Sequence, residues 1–309
     1  MDFLSPSVHV QLNPNVIEIL KGIDVVTICD FLNCDSKQIE KATTLPLKEV
    51  IEIRKYLLKH YSHPRNVYDY YKSILKEFAI IPTGISRLDT LLDGGLFTGN
   101  IYEICGLPAA GKTLLCLTLL KNITPKYTNQ VYYIDTKSDF SALKLKRAMS
   151  QMNKEQITTT LNKITVARTN SQQDFLSILL AIKHSVQNGE STRLIIIDSI
   201  PALCFTSTDL TEQNCFLNYS ANILQYLAKE YNVIIITTNL IRTWNDGDFI
   251  NTGAMKEEIC CGSYWYRVPN VRLSLTKDKD SCKITLDKTI KFIPDVNYCA
   301  VKFSDEGFV

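Results

Sequence analysis

Gly106 and Gly111 stand five residues apart, and Lys112 and Thr113 follow the second glycine directly. The octet Gly106, Leu107, Pro108, Ala109, Ala110, Gly111, Lys112 and Thr113 fits the phosphate-loop pattern G-x-x-x-x-G-K-[ST]. Each residue type has a chemical reason to be there. The glycines allow backbone angles and close approaches that a side chain would block. The loop's N–H groups and a following helix N-terminus offer positive partial charge to phosphate. Lys112 reaches toward β- and γ-phosphates, and the Thr113 hydroxyl suits Mg²⁺. A second candidate is Asp198, which closes the apolar run Leu194-Ile195-Ile196-Ile197 and precedes Ser199. A carboxylate at the carboxyl end of a buried strand can hold the water shell of Mg²⁺. Such a run is a weak signal alone. Placed after a phosphate loop in an alternating strand and helix pattern, it becomes specific.

The loop needs a strand before it and a helix after it, and the sequence supplies both. Asn100 to Cys105 reads as a buried strand, and Leu114 to Leu120 as a buried helix. Upstream, Thr83 to Leu96 reads as a short capped helix closed by Gly94-Gly95. Further strands are expected at Val131 to Asp135, Lys163 to Arg168, Leu194 to Asp198 and Val233 to Thr238. Helices are expected at Gln172 to Gln187 and from about Cys215 to Glu230. Asn239 to Gly262 has no periodicity and reads as a mobile loop. Val271 to Thr276, Cys282 to Asp287 and Tyr298 to Phe303 alternate apolar and polar residues. They are expected to be antiparallel, half-exposed strands at one sheet edge.

Residues 1–62 read as a separate bundle of three or four short helices. Asn13-Pro14 starts one that carries Val16, Ile17, Ile19 and Leu20, with Gly22 as its stop. Asp35-Ser36 caps another. Pro46 opens a longer one with Leu47, Val50, Ile51, Leu57 and Leu58 on one face. Its lysines are sparse and mixed with acids, which favours docking a partner over binding DNA. Residues 63–80 read as a linker with Tyr68, Tyr70 and Tyr71. Those rings either pack locally or add a strand to, or anchor on, a neighbouring protein.

Composition sets outer limits. Of 309 residues, 45% are hydrophobic and 21% charged, the profile of a soluble globular chain with no membrane span expected. The first residues, Met1 to Pro6, have no secretory pattern. Ten cysteines without a C-x-x-C pair read as reduced thiols of an intracellular protein, and His60 and His63 lack cysteine partners for zinc. A net charge of +2 gives no global pull toward nucleic acid, so any DNA contact must be local.

On these motifs the chain resembles the RecA-type recombinases of eukaryotes. The resemblance rests on Thr83-Gly84-Ile85, Leu88-Asp89 and Gly94-Gly95-Leu96. It rests also on Gly99, Glu103 to Gly106, Gly111-Lys112-Thr113, Asp198-Ser199 and Thr238-Asn239. It covers the whole chain. The segment Gly262 to Arg272 is most similar to the D-paralog branch of that family. The resemblance implies an α/β fold, with a RecA-like P-loop ATPase core at 81–309 behind the small helical domain. That core has a mostly parallel central sheet with antiparallel edge strands. It also implies ATP and Mg²⁺ as ligands, and homologous-recombination repair in the nucleus. The partners it implies are sister paralogs in a hetero-oligomer, acting on single-stranded DNA through the complex, with no membrane partner.

The departures from the family pattern are informative. Active members carry a water-activating glutamate two residues after the aspartate that ends the second strand. Here Asp135-Thr136-Lys137 puts Lys137 there, a cation at neutral pH. A lost base costs on the order of 10²–10⁴ in rate. Asp135 or Asp139 remains as a partial substitute. The family's γ-phosphate-sensing glutamine is Leu240 here. The first DNA loop of the family falls between Ala202 and Asn218. From Ala202 to Asn214 it has no lysine or arginine, and it carries the acids Asp209 and Glu212, so it should not bind DNA strongly. The second loop offers Arg242, Lys256 and Arg267 beside Trp244, Trp265 and Tyr266. That mixture suits either stacked single-stranded bases or ordinary packing. Three functions compete: an ATP-binding mediator subunit with weak hydrolysis, a DNA-dependent ATPase that forms its own filament, and a P-loop ATPase of another function, such as a circadian or helicase type. Lys137, Leu240 and the acidic first loop argue against the second. The helical domain and the Gly262 to Arg272 segment argue against the third.

Overall fold

The structure is a computed structural model that describes residues 3–61, 67, 79–205, 209–245, 255–279, 281–291, 294–304 and 307–308. The chain divides into two compact units, Met1–Ser73 and Ile74–Val309. Among the described residues, no helix is long and apolar enough to cross a membrane.

Helices of the first unit are α1 Pro14–Lys21, α2 Ile28–Asn33, α3 Ser36–Ala42 and α4 Leu47–Tyr61. Their starts are set by side-chain caps. Asn13 Oδ1 accepts from Val16 N at 2.9 Å, and Pro14 needs no partner in the first turn. Thr27 and Asp30 form a reciprocal capping box on α2, a helix the apolar spacing alone did not reveal. Glu40 Oε1 accepts from Leu47 N at 3.1 Å, so the side chain of one helix caps the next. Leu12, Leu20, Phe31, Ile39, Val50, Ile53 and Leu57 form the core. Three residues expected on buried faces turn outward: Ile19, Ile51 and Leu58 are exposed. On α4 the buried stripe is Val50, Ile53, Leu57, the i, i+3, i+7 rhythm, and Ile51 and Leu58 sit one position off it. Of the expected linker 63–80, only residues 67, 79 and 80 lie within the described residues.

The second unit is built on a ten-stranded sheet in the order β12-β11-β10-β9-β3-β7-β6-β4-β5, with β8 paired to β7. The strands are β3 Ile101–Gly106, β4 Gln130–Asp135, β5 Ile164–Arg168, β6 Thr192–Asp198, β7 Ile234–Asn245 and β8 Met255–Ile259. They continue with β9 Val271–Lys277, β10 Ser281–Lys288, β11 Tyr298–Ser304 and β12 Gly307–Phe308. A separate pair, β1 Ile80–Ile81 and β2 Leu96–Phe97, lies outside this sheet. The central strands are apolar on both faces. Leu194, Ile196, Ile234, Ile236, Val131 and Tyr133 face one core, while Ile195, Ile197, Ile235 and Ile134 face the other. Each fully buried aliphatic side chain there stabilises the fold by roughly 1.5–3 kcal/mol.

Four expectations change. The Thr83 to Leu96 helix is Ser86–Leu91; its N-cap position, Ile85, has no side-chain cap, and Asp89 within the helix binds the chain ahead of it instead. Asp89 Oδ1 accepts from Thr83 N at 2.6 Å and from Thr83 Oγ1 at 2.7 Å. Asn239 to Gly262 is not one loop. β7 runs on to Asn245, pairs antiparallel with β8, and a helix Gly262–Arg267 follows. β9 is parallel to β3 and largely buried, because it lies between β3 and β10; only β10 and the strands beyond it form the antiparallel edge. The second long helix starts at Leu210, with Asp209 as its cap, so much of the expected first DNA loop is helical.

Candidate nucleotide site

The phosphate loop runs from the end of β3 into the helix Lys112–Ile123. The two glycines have different jobs. Gly111 adopts φ +101°, in the left-handed region. Gly106 lies against β9, where a Cβ would meet Leu275 O at 2.8 Å. Lys112 is buried and donates to Gly106 O and Leu107 O, each at 2.8 Å, so its ammonium closes the loop on itself. Burial, then the Lys137 ammonium, holds Lys112 below the ordinary lysine pKa, against the pull of Asp198.

Asp198 ends β6 and is almost fully buried. Four donors surround its carboxylate. Oδ2 accepts from Thr113 Oγ1 at 2.6 Å and from Tyr133 OH at 2.9 Å. Oδ1 accepts from Thr238 Oγ1 at 2.6 Å and lies 2.9 Å from Lys137 Nζ. Burial pushes the Asp198 carboxyl up; Lys137 and the hydroxyls of Thr113 and Thr238 outweigh it and hold it below the usual carboxylate range. Burial likewise lowers Lys137, but Asp198 and then Asp139 override it and raise the ammonium's pKa. Burial beside Asp198 pushes the Tyr133 phenol well up, so it remains a donor.

Strand register delivers Lys137 to this carboxylate. β4 and β6 are parallel with Asp135 beside Asp198. The Thr136 hydroxyl donates to Ser199 O at 2.7 Å and accepts from Ser199 N at 2.6 Å. That pair of bonds fastens the chain after β4 to the chain after β6. Asp135 then accepts from Lys137 N, Asp139 N and Phe140 N, which shapes the turn that carries Lys137. Asp135 is therefore a structural cap, its oxygens engaged by these three backbone N–H groups and by the Arg168 guanidinium at 3.6 Å, which opposes a role as substitute for the absent glutamate. Asp139 is exposed and pairs with Lys137 at 3.4 Å. Leu240 follows Asn239 on β7, as the sequence placed it.

The structure adds a buried network that motif reading missed. Glu103 and Arg272 are side by side in the parallel β3–β9 register, both fully buried, with Arg272 Nε donating to Glu103 Oε2 at 2.6 Å. Asn239 Nδ2 and Trp265 Nε1 donate to Glu103 Oε1 at 2.7 and 2.8 Å. A single glutamate thus ties together the strand before the phosphate loop, the middle of β7 and the tryptophan helix. The signal was present in the sequence: opposite charges stand inside two otherwise apolar strands, Tyr102-Glu103-Ile104 and Val271-Arg272-Leu273.

The proposed DNA-contacting groups stand on different elements, Arg242 on β7, Lys256 on β8 and Arg267 on the helix Gly262–Arg267. Trp265 is fully buried and engaged by Glu103, so it presents no face to a base. The Arg242 guanidinium lies over the Phe205 ring, 4.1 Å from its centroid. Arg267 is exposed at the end of its short helix, and its carbonyl accepts from Lys288 Nζ at 3.0 Å. Lys256 is paired with Trp244 in the β7–β8 register, and both side chains lie outside the described residues.

The parts for a triphosphate are together. A glycine loop and helix N-terminus face one lysine, and a threonine hydroxyl meets a carboxylate at 2.6 Å. Hard oxygens at Thr113 and Asp198 suit Mg²⁺, although Lys137 already stands on one of those oxygens.

Comparison with known proteins gives a consistent result. Residues 75–306 match the Rad51 family model, and residues 1–60 match the model of the RAD51D N-terminal domain. The chain is 29% identical over 276 residues to the DNA repair protein RAD51 homolog 4 of Mus musculus, covering 85% of this chain and 81% of that protein. It is 27% identical over 259 residues to RAD51 homolog 2 of the same species, covering 77% of this chain and 74% of that protein. It is also 25% identical over 237 residues to the DNA repair and recombination protein RadB of Archaeoglobus fulgidus, covering 74% of this chain and 97% of that protein.

Proposed function

This chain belongs to the Rad51 family of DNA repair and recombination proteins, and from that premise we propose that it is an ATP-binding subunit of a recombinase-paralog complex. In this reading it works in homologous-recombination repair in the nucleus. It assembles with sister paralogs in a hetero-oligomer and meets single-stranded DNA through that complex. Its own hydrolysis of ATP is weak. The division into a helical domain at 1–62, a linker at 63–80 and an ATPase domain at 81–309 belongs to the same proposal, each folded part contacting a different neighbour.

The observation that carries the reading is the intact binding half of the site beside an altered hydrolytic half. Gly106 to Thr113 and Asp198 are in place. At the position of the water-activating glutamate stands Lys137, paired with Asp198. Lys112 would leave the loop carbonyls Gly106 O and Leu107 O to meet the β- and γ-phosphates, and the N–H groups of the loop and of the helix start would cradle them. Thr113 and Asp198 are the residues that would hold Mg²⁺, which neutralises phosphate charge when bound. With Lys137 and Leu240 in their places, the chain orients the triphosphate but presents no base to water.

Fluorescence titration of nucleotide and single-turnover hydrolysis test this. Lys112→Ala weakens binding, and the native chain hydrolyses slowly with or without single-stranded DNA. Equal affinity in the variant, or turnover like that of an active recombinase, overturns the reading. Pull-downs with the two parts test the division of contacts; retention of one shared partner by both refutes it.

A further inference from the structure

We infer that Lys137 is a built-in cation of the nucleotide site, supplying by its ammonium part of the charge that a divalent ion normally brings, so that this chain holds a nucleoside triphosphate with little dependence on Mg²⁺. The inference rests on the nucleotide-binding reading above and deepens it.

Acceptor capacity is the first argument. A carboxylate offers about four lone-pair sites. Those of Asp198 face Thr113, Tyr133, Thr238 and Lys137, at 2.6, 2.9, 2.6 and 2.9 Å. For the water shell of Mg²⁺ to use this carboxylate, one of the four must leave. Three are hydroxyls, and Thr238 is itself fully buried. The fourth is the group whose charge opposes a second cation at close range.

Anchoring is the second. The turn bearing Lys137 is held at both ends by Thr136 on Ser199 and by Asp135 on the N–H groups of residues 137, 139 and 140. The ammonium is thus delivered to Asp198 by fixed backbone, while the four-carbon stem keeps the reach to turn toward a phosphate oxygen. Its other carboxylate partner, Asp139, is exposed and a weaker tether, at 3.4 Å.

Charge is the third. The ammoniums of Lys112, in the phosphate loop, and Lys137, on Asp198, outnumber the buried Asp198 carboxylate by one, and the exposed Asp139 is screened by solvent, which leaves a positive charge for an incoming phosphate without any metal. With a neutral residue at 137, Asp198 would face the phosphates uncompensated, and a divalent ion would be needed to bridge them.

The test is equilibrium titration of the full-length chain with a fluorescent ATP analogue, in excess Mg²⁺ and in EDTA, for the native chain, Lys137→Gln and Lys137→Arg. The native chain and Lys137→Arg change affinity by less than about threefold between the two conditions, whereas Lys137→Gln weakens by about tenfold or more in EDTA and recovers with Mg²⁺. Loss of about tenfold in EDTA by the native chain overturns the inference alone, because binding in Mg²⁺ leaves the nucleotide reading standing. Absence of binding in both conditions overturns that reading, and this inference with it. Should Lys137→Gln fail to fold by circular dichroism, the native comparison still decides.

Discussion

Replacing Arg272 by methionine breaks the buried ion pair of the second unit together with the contacts Arg272 makes to Tyr266. Glu103 and Arg272 are both fully buried. In Arg272→Met, Glu103 Oε1 keeps Asn239 and Trp265, but Oε2 loses the guanidinium at 2.6 Å. Stripping one partner from a buried pair costs about 3–5 kcal/mol. Two local features move the figure within that range. The guanidinium also donates from Nη2 to Tyr266 O at 2.8 Å and stacks on the Tyr266 ring, 4.1 Å from its centroid, and both contacts to Tyr266 are lost. Against this, Arg272 Nη1 has no hydrogen-bond partner among the described residues, so its removal relieves an unmet desolvation cost. The lower end, about 3 kcal/mol, is the expected loss. For a unit of this size each kcal/mol moves the melting temperature by roughly 2–4 °C, so a fall of about 6–12 °C is expected. Urea denaturation and calorimetry measure both. The double variant Glu103→Gln with Arg272→Met removes the stranded charge and should recover about 1–2 kcal/mol over the single change. A single-variant loss below about 1 kcal/mol, or a double variant no better than the single, refutes the claim that this pair ties β3 to β9.

Other outcomes follow from specific contacts. In the helical unit, Ile53→Ala should cost about 2–5 kcal/mol, while the exposed neighbour Ile51→Ala should stay within about 0.5 kcal/mol; equal effects in denaturant melts would contradict the α4 face described here. Gly111→Ala forces a Cβ onto φ +101°, 3.0 Å from Phe308 Cζ. It should lose about 1–2 kcal/mol of stability and bind nucleotide more weakly by titration. Lys137→Glu combined with Leu240→Gln should raise single-turnover hydrolysis in Mg²⁺ above the native rate, and more than Lys137→Glu alone. An unchanged rate would mean that these two positions do not limit the chemistry.

Several features of the chain were decided locally and could be read without a fold. The phosphate loop is contiguous, and its flanking strand and helix differ in apolar period, so Gly106 to Thr113 was legible at once. Helix starts at Pro14 and Ser36 follow from a cap beside them in sequence. Asp198 was legible because a buried strand ends in a charge. The rest depended on register between distant strands. Lys137 was expected where active family members carry their water-activating glutamate. Only the parallel pairing of β4 with β6, fastened by Thr136 on Ser199, sets it against Asp198. Trp265 suited either a stacked base or ordinary packing; the β3–β9 register places Glu103 beside Arg272, and the buried indole N–H donates to that glutamate. Ile53 and Ile51 differ by two residues and neither carries a local label for its face; the packing of α4 on its own bundle buries the first and exposes the second. Propensity and period act over a few residues, whereas a charge buried between strands finds its partner 169 positions away, and only the closed sheet can bring the two together.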